Sequence, residues 1–174
     1  MYIKLPKLHR ITKRCERSVK RLKINIFEMT QEQETELVDK ISSSGKGIIV
    51  FEGPTGSGKT WLLNKVLNKS NTARRFSYES FVEIYINQIK ENKSAVYVKK
   101  SMLKFLNAHE IVGVEEIDML WGKEYTQEAI AEIINIVSEN TLVILTGIGI
   151  EERVPKLLKK LKETNIIYFE KKEE

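Results

Sequence analysis

The sequence of 174 residues predicts an α/β fold in which helices cover both faces of a parallel five-stranded sheet. Short apolar segments alternate with helix-like segments from residue 47 onward, which is the chain order of a parallel sheet. A Gly-rich loop, Gly53–Thr60, separates the first of these strands from the helix that follows it. The content of 41% hydrophobic and 30% charged residues is typical of globular rather than disordered proteins.

The N-terminal segment is predicted to form a basic helix, because its apolar residues recur every three or four positions. Residues 1–23 contain nine Lys or Arg and one acid, a net charge of +8, whereas the remainder has 20 basic and 23 acidic residues, a net charge of −3. We therefore divide the chain into a basic N-terminal helix or extension, residues 1–29, and a core domain, residues 30–174. The apolar stripe consists of Leu8, Ile11, Cys15, Val19, Leu22 and Ile26.

The core is predicted to begin with a helix that Thr30 caps, because Gln33 lies three residues further on, as in a capping box. This helix runs through Ile41, and a Ser-Gly segment ends it. The predicted strands are Gly47–Glu52, Arg75–Tyr78, Ile111–Glu115, Thr141–Thr146 and Ile166–Phe169. The predicted helices between them are Lys59–Leu67, Ser80–Glu91, a short helix before Asn107, Thr126–Glu139 and residues 150–163.

The composition argues against membrane and cysteine-dependent classes. The longest apolar runs, such as Ile48–Phe51, are too short to cross a bilayer, and Lys and Arg interrupt the N-terminus too often for a signal peptide. Cys15 is the only cysteine, which excludes an intrachain disulfide and a cysteine-based zinc site. We therefore expect a cytoplasmic protein with no membrane partner.

The loop Gly53–Thr60 matches the P-loop pattern G-x4-G-K-[ST]. Gly56 and Gly58 allow backbone amides to turn toward phosphates, and the helix that follows directs its positive end at the same oxygens. Lys59 adds a charge for the β- and γ-phosphates, and the Thr60 hydroxyl is a ligand for Mg²⁺. The sequence thus predicts a site for ATP or ADP with Mg²⁺. We assign to this site Gly53, Pro54, Thr55, Gly56, Ser57, Gly58, Lys59, Thr60 and Trp61.

An acidic pair at the end of the predicted strand Ile111–Glu115 supplies the second half of the site. We assign Glu115 to the metal side, and Glu116 to orienting or deprotonating the attacking water. Asp118 is a third carboxylate that could share this work, and a merely solvated strand end is the alternative. Thr146 ends another strand and is predicted either to contact the attacking water or simply to close the strand. The predicted catalytic residues are Glu116, Lys59 and Thr146, and the predicted Mg²⁺ ligands are Thr60 and Glu115.

Taken together, these motifs resemble the AAA+ ATPase core of the bacterial replication initiator DnaA and its relatives Hda and the DnaC-type helicase loaders. The resemblance covers residues 47–170, and its most specific part is the Leu-x-Gly-Lys-Glu-x-Thr-Gln-Glu stretch at Leu120–Glu128. It implies the AAA+ sheet order 5-1-4-3-2 and slow ATP hydrolysis that serves as a switch for assembly on DNA. The matching segments are Phe51–Gly53 through Leu63, Ser77–Phe81, Val114–Glu128 and Val143–Thr146.

The chain also departs from that family. Glu115 and Glu116 replace two Asp, and Arg153 is the only arginine near the place where the family carries an arginine finger. Lysines fill that stretch instead, and a lysine does not reproduce the planar fork of a guanidinium. The sequence ends at Glu174, before the positions of the family's helical lid and DNA-binding domain, so any DNA contact is expected elsewhere. The lysines are Lys156, Lys159, Lys160 and Lys162.

Three functions fit these observations. The first is an ATP-dependent switch in replication initiation, its regulation or helicase loading, with slow conversion of ATP to ADP and phosphate. The second is a nucleotide sensor without turnover that gates contacts of the N-terminal segment. The third, a small P-loop kinase, is disfavoured because residues 70–110 show no acceptor-site signature.

The N-terminal cations suggest DNA as a partner, through phosphate contacts. A docking helix for an acidic protein and a helix that only packs on the core are the alternatives. Replication proteins and further copies of the chain are the other expected partners. The cations are Lys4, Lys7, Arg10, Lys13, Arg14, Arg17, Lys20, Arg21 and Lys23.

Overall fold

A computed structural model describes residues 20–90 and 95–171. Its strands are β1 (Lys20–Ile24), β2 (Gly47–Glu52), β3 (Arg74–Ser77), β4 (Ile111–Glu115), β5 (Leu142–Gly147) and β6 (Thr164–Phe169). Its helices are α1 (Gln31–Ser42), α2 (Lys59–Leu67), α3 (Tyr78–Lys90), α4 (Ala95–Leu106), α5 (Glu124–Val137), α6 (Ile150–Arg153) and α7 (Pro155–Lys160). Short 3-10 helices cover Ile26–Glu28 and Ile117–Leu120. None of the described helices is long and apolar enough to span a bilayer.

The strands form one parallel sheet in the order β1-β6-β2-β5-β4-β3. Without β1, this is the predicted order 5-1-4-3-2, because β2 to β6 are the five predicted strands. The predicted α/β P-loop fold with helices on both faces is therefore confirmed. The predicted number of strands is wrong, because the sheet formed by the described residues has six.

The additional strand lies within the segment predicted as a basic helix. Residues 20–24 pair in parallel with β6, with Leu22 opposite Ile167. Leu22, Ile24 and Ile26 alternate with Lys23 and Asn25 and so fit a strand period of two, whereas only Leu22 and Ile26 of these three fit the helical stripe. Pairing with β1 supplies partners for backbone groups along β6, a gain that a helix at this position could not offer. Residues 1–19 of the predicted helix lie outside the described residues.

The other predicted elements lie close to the observed ones. The capping box of α1 is confirmed, since the Gln33 N–H donates to Thr30 Oγ1 at 3.2 Å and the Thr30 N–H donates to Gln33 Oε1 at 2.9 Å. The predicted helix over residues 150–163 is instead two short helices, α6 and α7. Pro155 begins the second one, because its ring fits the first turn of a helix but not its interior.

The sheet has a hydrophobic core on each face, and alternate residues of β2 contribute to the two cores. Ile48 and Val50 pack with residues of α5 and α7, whereas Ile49 and Phe51 pack with residues of α1 and α2. Val50 and Phe51 are completely buried. The P-loop strand is thus held from both sides, which fixes the position of the loop that follows it.

The strand register brings the predicted site residues to one edge of the sheet. Phe51 in β2 lies opposite Thr146 in β5, and Val114 in β4 lies opposite Leu145 in β5. The carboxyl ends of these parallel strands therefore meet, and this edge is where α/β sheets bind their ligands. The P-loop, the acidic pair and Thr146 leave the sheet next to one another.

Candidate nucleotide site

A cleft of about 980 Å³ lies at this edge of the sheet. Most of the predicted site residues line it, together with residues from the segment after β1 and from β3. Gly53, Pro54 and Ser57 do not line it, and Ser57 is completely buried, with its hydroxyl donating to the Pro54 carbonyl at 2.8 Å. The predicted residues that line the cleft are Thr55, Gly56, Gly58, Lys59, Thr60, Trp61, Glu115, Glu116 and Thr146.

The side chain of Lys59 lies along the inside of the P-loop. Its Nζ donates to the carbonyl oxygens of Gly53 at 2.6 Å and Pro54 at 2.7 Å. Burial lowers the pKa of Lys59, and the negative charge of Asp118 partly opposes this effect. The ammonium is therefore held at the mouth of the loop, where phosphate oxygens could replace the carbonyls as stronger, charged acceptors.

Gly58 is required at the start of α2 for two independent reasons. Its φ of +94° lies in the left-handed region that side chains disfavour, and a Cβ there would lie 2.6 Å from Cγ2 of Ile26. No side chain caps the N-terminus of α2, so its first amides remain available to an anion. The loop thus has the backbone geometry that the phosphate prediction requires.

Glu115 is buried at the end of β4, and both its carboxylate oxygens have partners. The Thr60 hydroxyl donates to Oε1 at 2.8 Å, and Nε of Arg75 lies 2.5 Å from Oε2. A hydroxyl and a carboxylate are hard oxygen ligands that suit Mg²⁺. Within residues 20–90 and 95–171 no cluster of three or more His, Cys, Asp or Glu could hold a metal ion. Magnesium would therefore need phosphate oxygens and water as well, which is its usual mode of binding.

Glu116 has a strained backbone and an exposed side chain. Among the described residues it is the one non-glycine with positive φ, at 58°, a conformation that costs roughly 1–2 kcal/mol. Its N–H donates to Oγ1 of Thr146 at 3.4 Å, and its carboxylate has no hydrogen bond or ion pair with another described residue. Strain of this kind at a cleft is typical of functional residues. Because the carboxylate has no such partner among the described residues, it is available to act on a ligand.

Asp118, the third carboxylate, is instead engaged in holding the site together. It is 4% exposed, its Oδ1 accepts a hydrogen bond from the Ile148 N–H at 3.1 Å, and its Oδ2 pairs with Nη1 of Arg153 at 2.9 Å. It thereby connects the 3-10 helix after β4 to the loop after β5 and to α6. These contacts favour Glu116 over Asp118 as the acid that faces the attacking water.

The variant Asp118→Asn is expected to lower the free energy of unfolding by about 1–3 kcal/mol, because it removes the buried charge and replaces the acceptor of Arg153 with an amide NH2 group that cannot accept. Urea denaturation measures this change. Asp39→Asn is the matched control, since Asp39 forms an exposed pair with Lys69 at 2.7 Å and should cost at most about 1 kcal/mol. An equal, small loss in both variants would contradict the connecting role of Asp118.

The structure adds residues to the cleft that the sequence did not assign to it. Arg75 reaches Glu115 from β3, and Ile26 and Phe27 approach the P-loop from the segment after β1. Arg75 could not have been found, because it is the first residue of the predicted strand Arg75–Tyr78, away from the carboxyl end, and only its side chain reaches Glu115. Nor could Ile26 and Phe27, because their position depends on β1, which the sequence suggested was helical.

The sequence matches the family model described as Type II/IV secretion system protein over residues 5–108. This match spans more than half of the chain and includes the P-loop. The comparison with curated proteins finds no match.

Solved structures with a similar fold include those of replication proteins. Domain III of the Thermotoga maritima replication initiation protein DnaA has a TM-score of 0.63 and 16% identity, covering 78% of this chain and 60% of that one. DnaA bound to AMPPCP and single-stranded DNA has a TM-score of 0.60 and 18% identity, covering 79% and 44%. The DnaC helicase loader has a TM-score of 0.57 and 16% identity, covering 82% and 92%. This chain thus spans only about half the length of the DnaA structures, and the shared AAA+ P-loop fold confirms the resemblance in fold.

Proposed function

We propose that this chain, which belongs to the Type II/IV secretion system protein family of P-loop ATPases, binds ATP with Mg²⁺ and uses the nucleotide as a switch. The observation that carries this proposal is the meeting of the P-loop, Glu115, Glu116 and Thr146 in one cleft. The AMPPCP bound to a DnaA of the same fold supports a nucleotide as the ligand.

Each residue has a distinct task in this proposal. The amides at the start of α2 and the Lys59 ammonium bind the phosphates, and the Thr60 hydroxyl binds Mg²⁺, which neutralises phosphate charge when bound. Glu115 holds the Thr60 hydroxyl in place at 2.8 Å. Glu116 accepts the proton of the attacking water. The Thr146 hydroxyl accepts a hydrogen bond from the backbone N–H of Glu116 and so helps to position that residue. Slow hydrolysis of ATP to ADP and phosphate would follow.

We place the switch in replication initiation, its regulation or helicase loading rather than in secretion. The family match ends at residue 108, before the strand that carries the acidic pair. The segment beyond it contains Leu120–Glu128, the stretch that resembles DnaA most specifically. The solved structures of similar fold include a DnaA bound to single-stranded DNA and a helicase loader, which supports DNA and replication proteins as partners.

The N-terminal cations remain the proposed DNA contact, although most of them lie outside the described residues. Arg21, in β1, forms an ion pair with Glu151 of α6 at 2.9 Å, so one of these cations already has a partner within the protein. Lys23 in the same strand is exposed. DNA binding by this segment should weaken steeply as salt is raised, because it would depend on phosphate contacts.

Single-turnover release of phosphate from ATP, measured with and without DNA and at several protein concentrations, tests the proposed switch. Hydrolysis that DNA or self-assembly accelerates would support it. Tight ATP binding without any phosphate release would favour the sensor without turnover. Transfer of the γ-phosphate to a small acceptor would contradict both and identify a kinase.

A further inference from the structure

Arg75 holds the side of Glu115 that Thr60 does not contact. It lies in β3, next to β4, and its Nε is 2.5 Å from Glu115 Oε2. Its Nη1 donates to Oδ1 of Asn64 in α2 at 3.0 Å, so the guanidinium bridges the acid and the P-loop helix. The side chain of Glu115 is only 12% exposed, whereas that of Arg75 is 47% exposed. The acid is therefore fixed, and the arginine is the partner that is able to move.

Each oxygen of the Glu115 carboxylate already has one partner. The Thr60 hydroxyl occupies Oε1 and Arg75 occupies Oε2. For Glu115 to act on the metal side, one of its oxygens must accept a hydrogen bond from a water molecule of a hydrated Mg²⁺ ion. Thr60 is itself a predicted metal ligand and stays in place, so we expect the water at Oε2. That oxygen can accept two hydrogen bonds, but a hydrated divalent ion beside it would lie next to the guanidinium, so the two cations compete for the same side of Glu115.

The charges in the cleft strengthen this competition. Arg75, Lys59 and Arg153 already line it as cations, and a divalent ion beside Glu115 would repel the nearest guanidinium. Asn64 gives Arg75 one partner outside the carboxylate, and solvent is accessible on its exposed side. Displacement of Arg75 thus leaves no buried charge without a partner.

We propose that Arg75 is a positioning residue that competes with magnesium for Glu115, so that its ion pair opens when the metal binds with nucleotide. Arg75 would then set the magnesium concentration at which the site loads, and would hold Glu115 in place when the site is empty of metal. This inference rests on the proposed function, because it requires a nucleotide site that takes magnesium.

Titration of a fluorescent ATP analogue at a series of Mg²⁺ concentrations, and in EDTA, tests the proposal with no need for hydrolysis. Magnesium should raise the affinity for the analogue, and the Mg²⁺ concentration that gives half of this rise should be roughly fivefold lower or more in Arg75→Gln than in the wild type. Fivefold is the lower end of the couplings usually found between two binding sites. Arg75→Lys keeps the charge but loses the bridge to Asn64, so its value should lie between those of the wild type and Arg75→Gln. Arg74→Gln is the matched control, because Arg74 is exposed on the same strand, with its guanidinium 5.9 Å from the Phe76 ring, and does not line the cleft.

Two results would overturn the inference while leaving the proposed function intact. One is an equal magnesium dependence in Arg75→Gln and Arg74→Gln. The other is a loss of affinity in Arg75→Gln that is as large in EDTA as in magnesium, since it would show that Arg75 binds phosphate directly. A wild-type chain that binds no nucleotide under any of these conditions would overturn both proposals. Thermal unfolding of each variant checks that it is folded. If Arg75→Gln does not fold, Arg75→Lys is compared with Arg74→Gln instead.

Discussion

Lys59→Ala is expected to abolish high-affinity ATP binding. The lysine supplies the only side-chain cation within the P-loop, and its Nζ is held inside the loop by the carbonyls of Gly53 and Pro54. Without it, no side-chain cation of the loop would remain to offset the phosphate charge. The loss of charge-assisted hydrogen bonds should weaken binding by roughly 10-fold to 100-fold or more. Isothermal titration calorimetry with ATP and Mg²⁺ measures the change.

Lys69→Ala is the matched control for this variant. Lys69 lies just beyond the other end of α2 and pairs with Asp39 at 2.7 Å, at a distance from the cleft. The Lys69→Ala variant should bind ATP as the wild type does, since the substitution removes one positive charge but leaves the P-loop unchanged. Equal affinity in Lys59→Ala and Lys69→Ala would show that the P-loop is not the phosphate site.

Glu116→Gln is expected to retain ATP binding and to slow single-turnover hydrolysis by about 10²-fold to 10⁴-fold. The carboxylate is exposed in the cleft and has no other partner among the described residues, so it is available to accept a proton. Glutamine keeps the shape but not the basicity. Rapid-quench measurement of phosphate release, together with the ATP affinity, separates chemistry from binding.

Glu124→Gln provides the comparison for this second variant, because Glu124 pairs with Lys156 on the surface and does not line the cleft. Its rate of hydrolysis should equal that of the wild type. Undiminished hydrolysis in Glu116→Gln would move the role of base to Asp118 or Glu115. The buried ion pair of Asp118 makes that residue the weaker of these candidates.

The parts of the site that depend on local sequence were predictable. The P-loop has fixed spacing, and the acidic pair and Thr146 follow apolar strands whose parallel order places their ends at one edge. The ion pair of Glu115 with Arg75 was not predictable, because it joins two strands through side-chain conformations that no local pattern encodes. The strained φ of Glu116 was equally hidden, since glutamate carries no preference for that conformation.

The error at β1 has a different physical origin. Residues 20–26 carry apolar residues that satisfy a period of two and, read with the preceding residues, a helical spacing of three or four. The choice between these periods depends on the backbone of β6, which has pairing groups to offer along its outer side. Tertiary context of this kind overrides local pattern. The consequence matters for function, because β1 leads directly to Ile26 and Phe27 at the cleft.

Calorimetric titration of the wild-type chain with ATP in the presence of Mg²⁺ tests the central claim most directly. The account predicts saturable binding of one nucleotide per chain that weakens when EDTA removes the metal. The absence of any binding heat with either adenine or guanine nucleotides, for a chain shown to be folded, would contradict it.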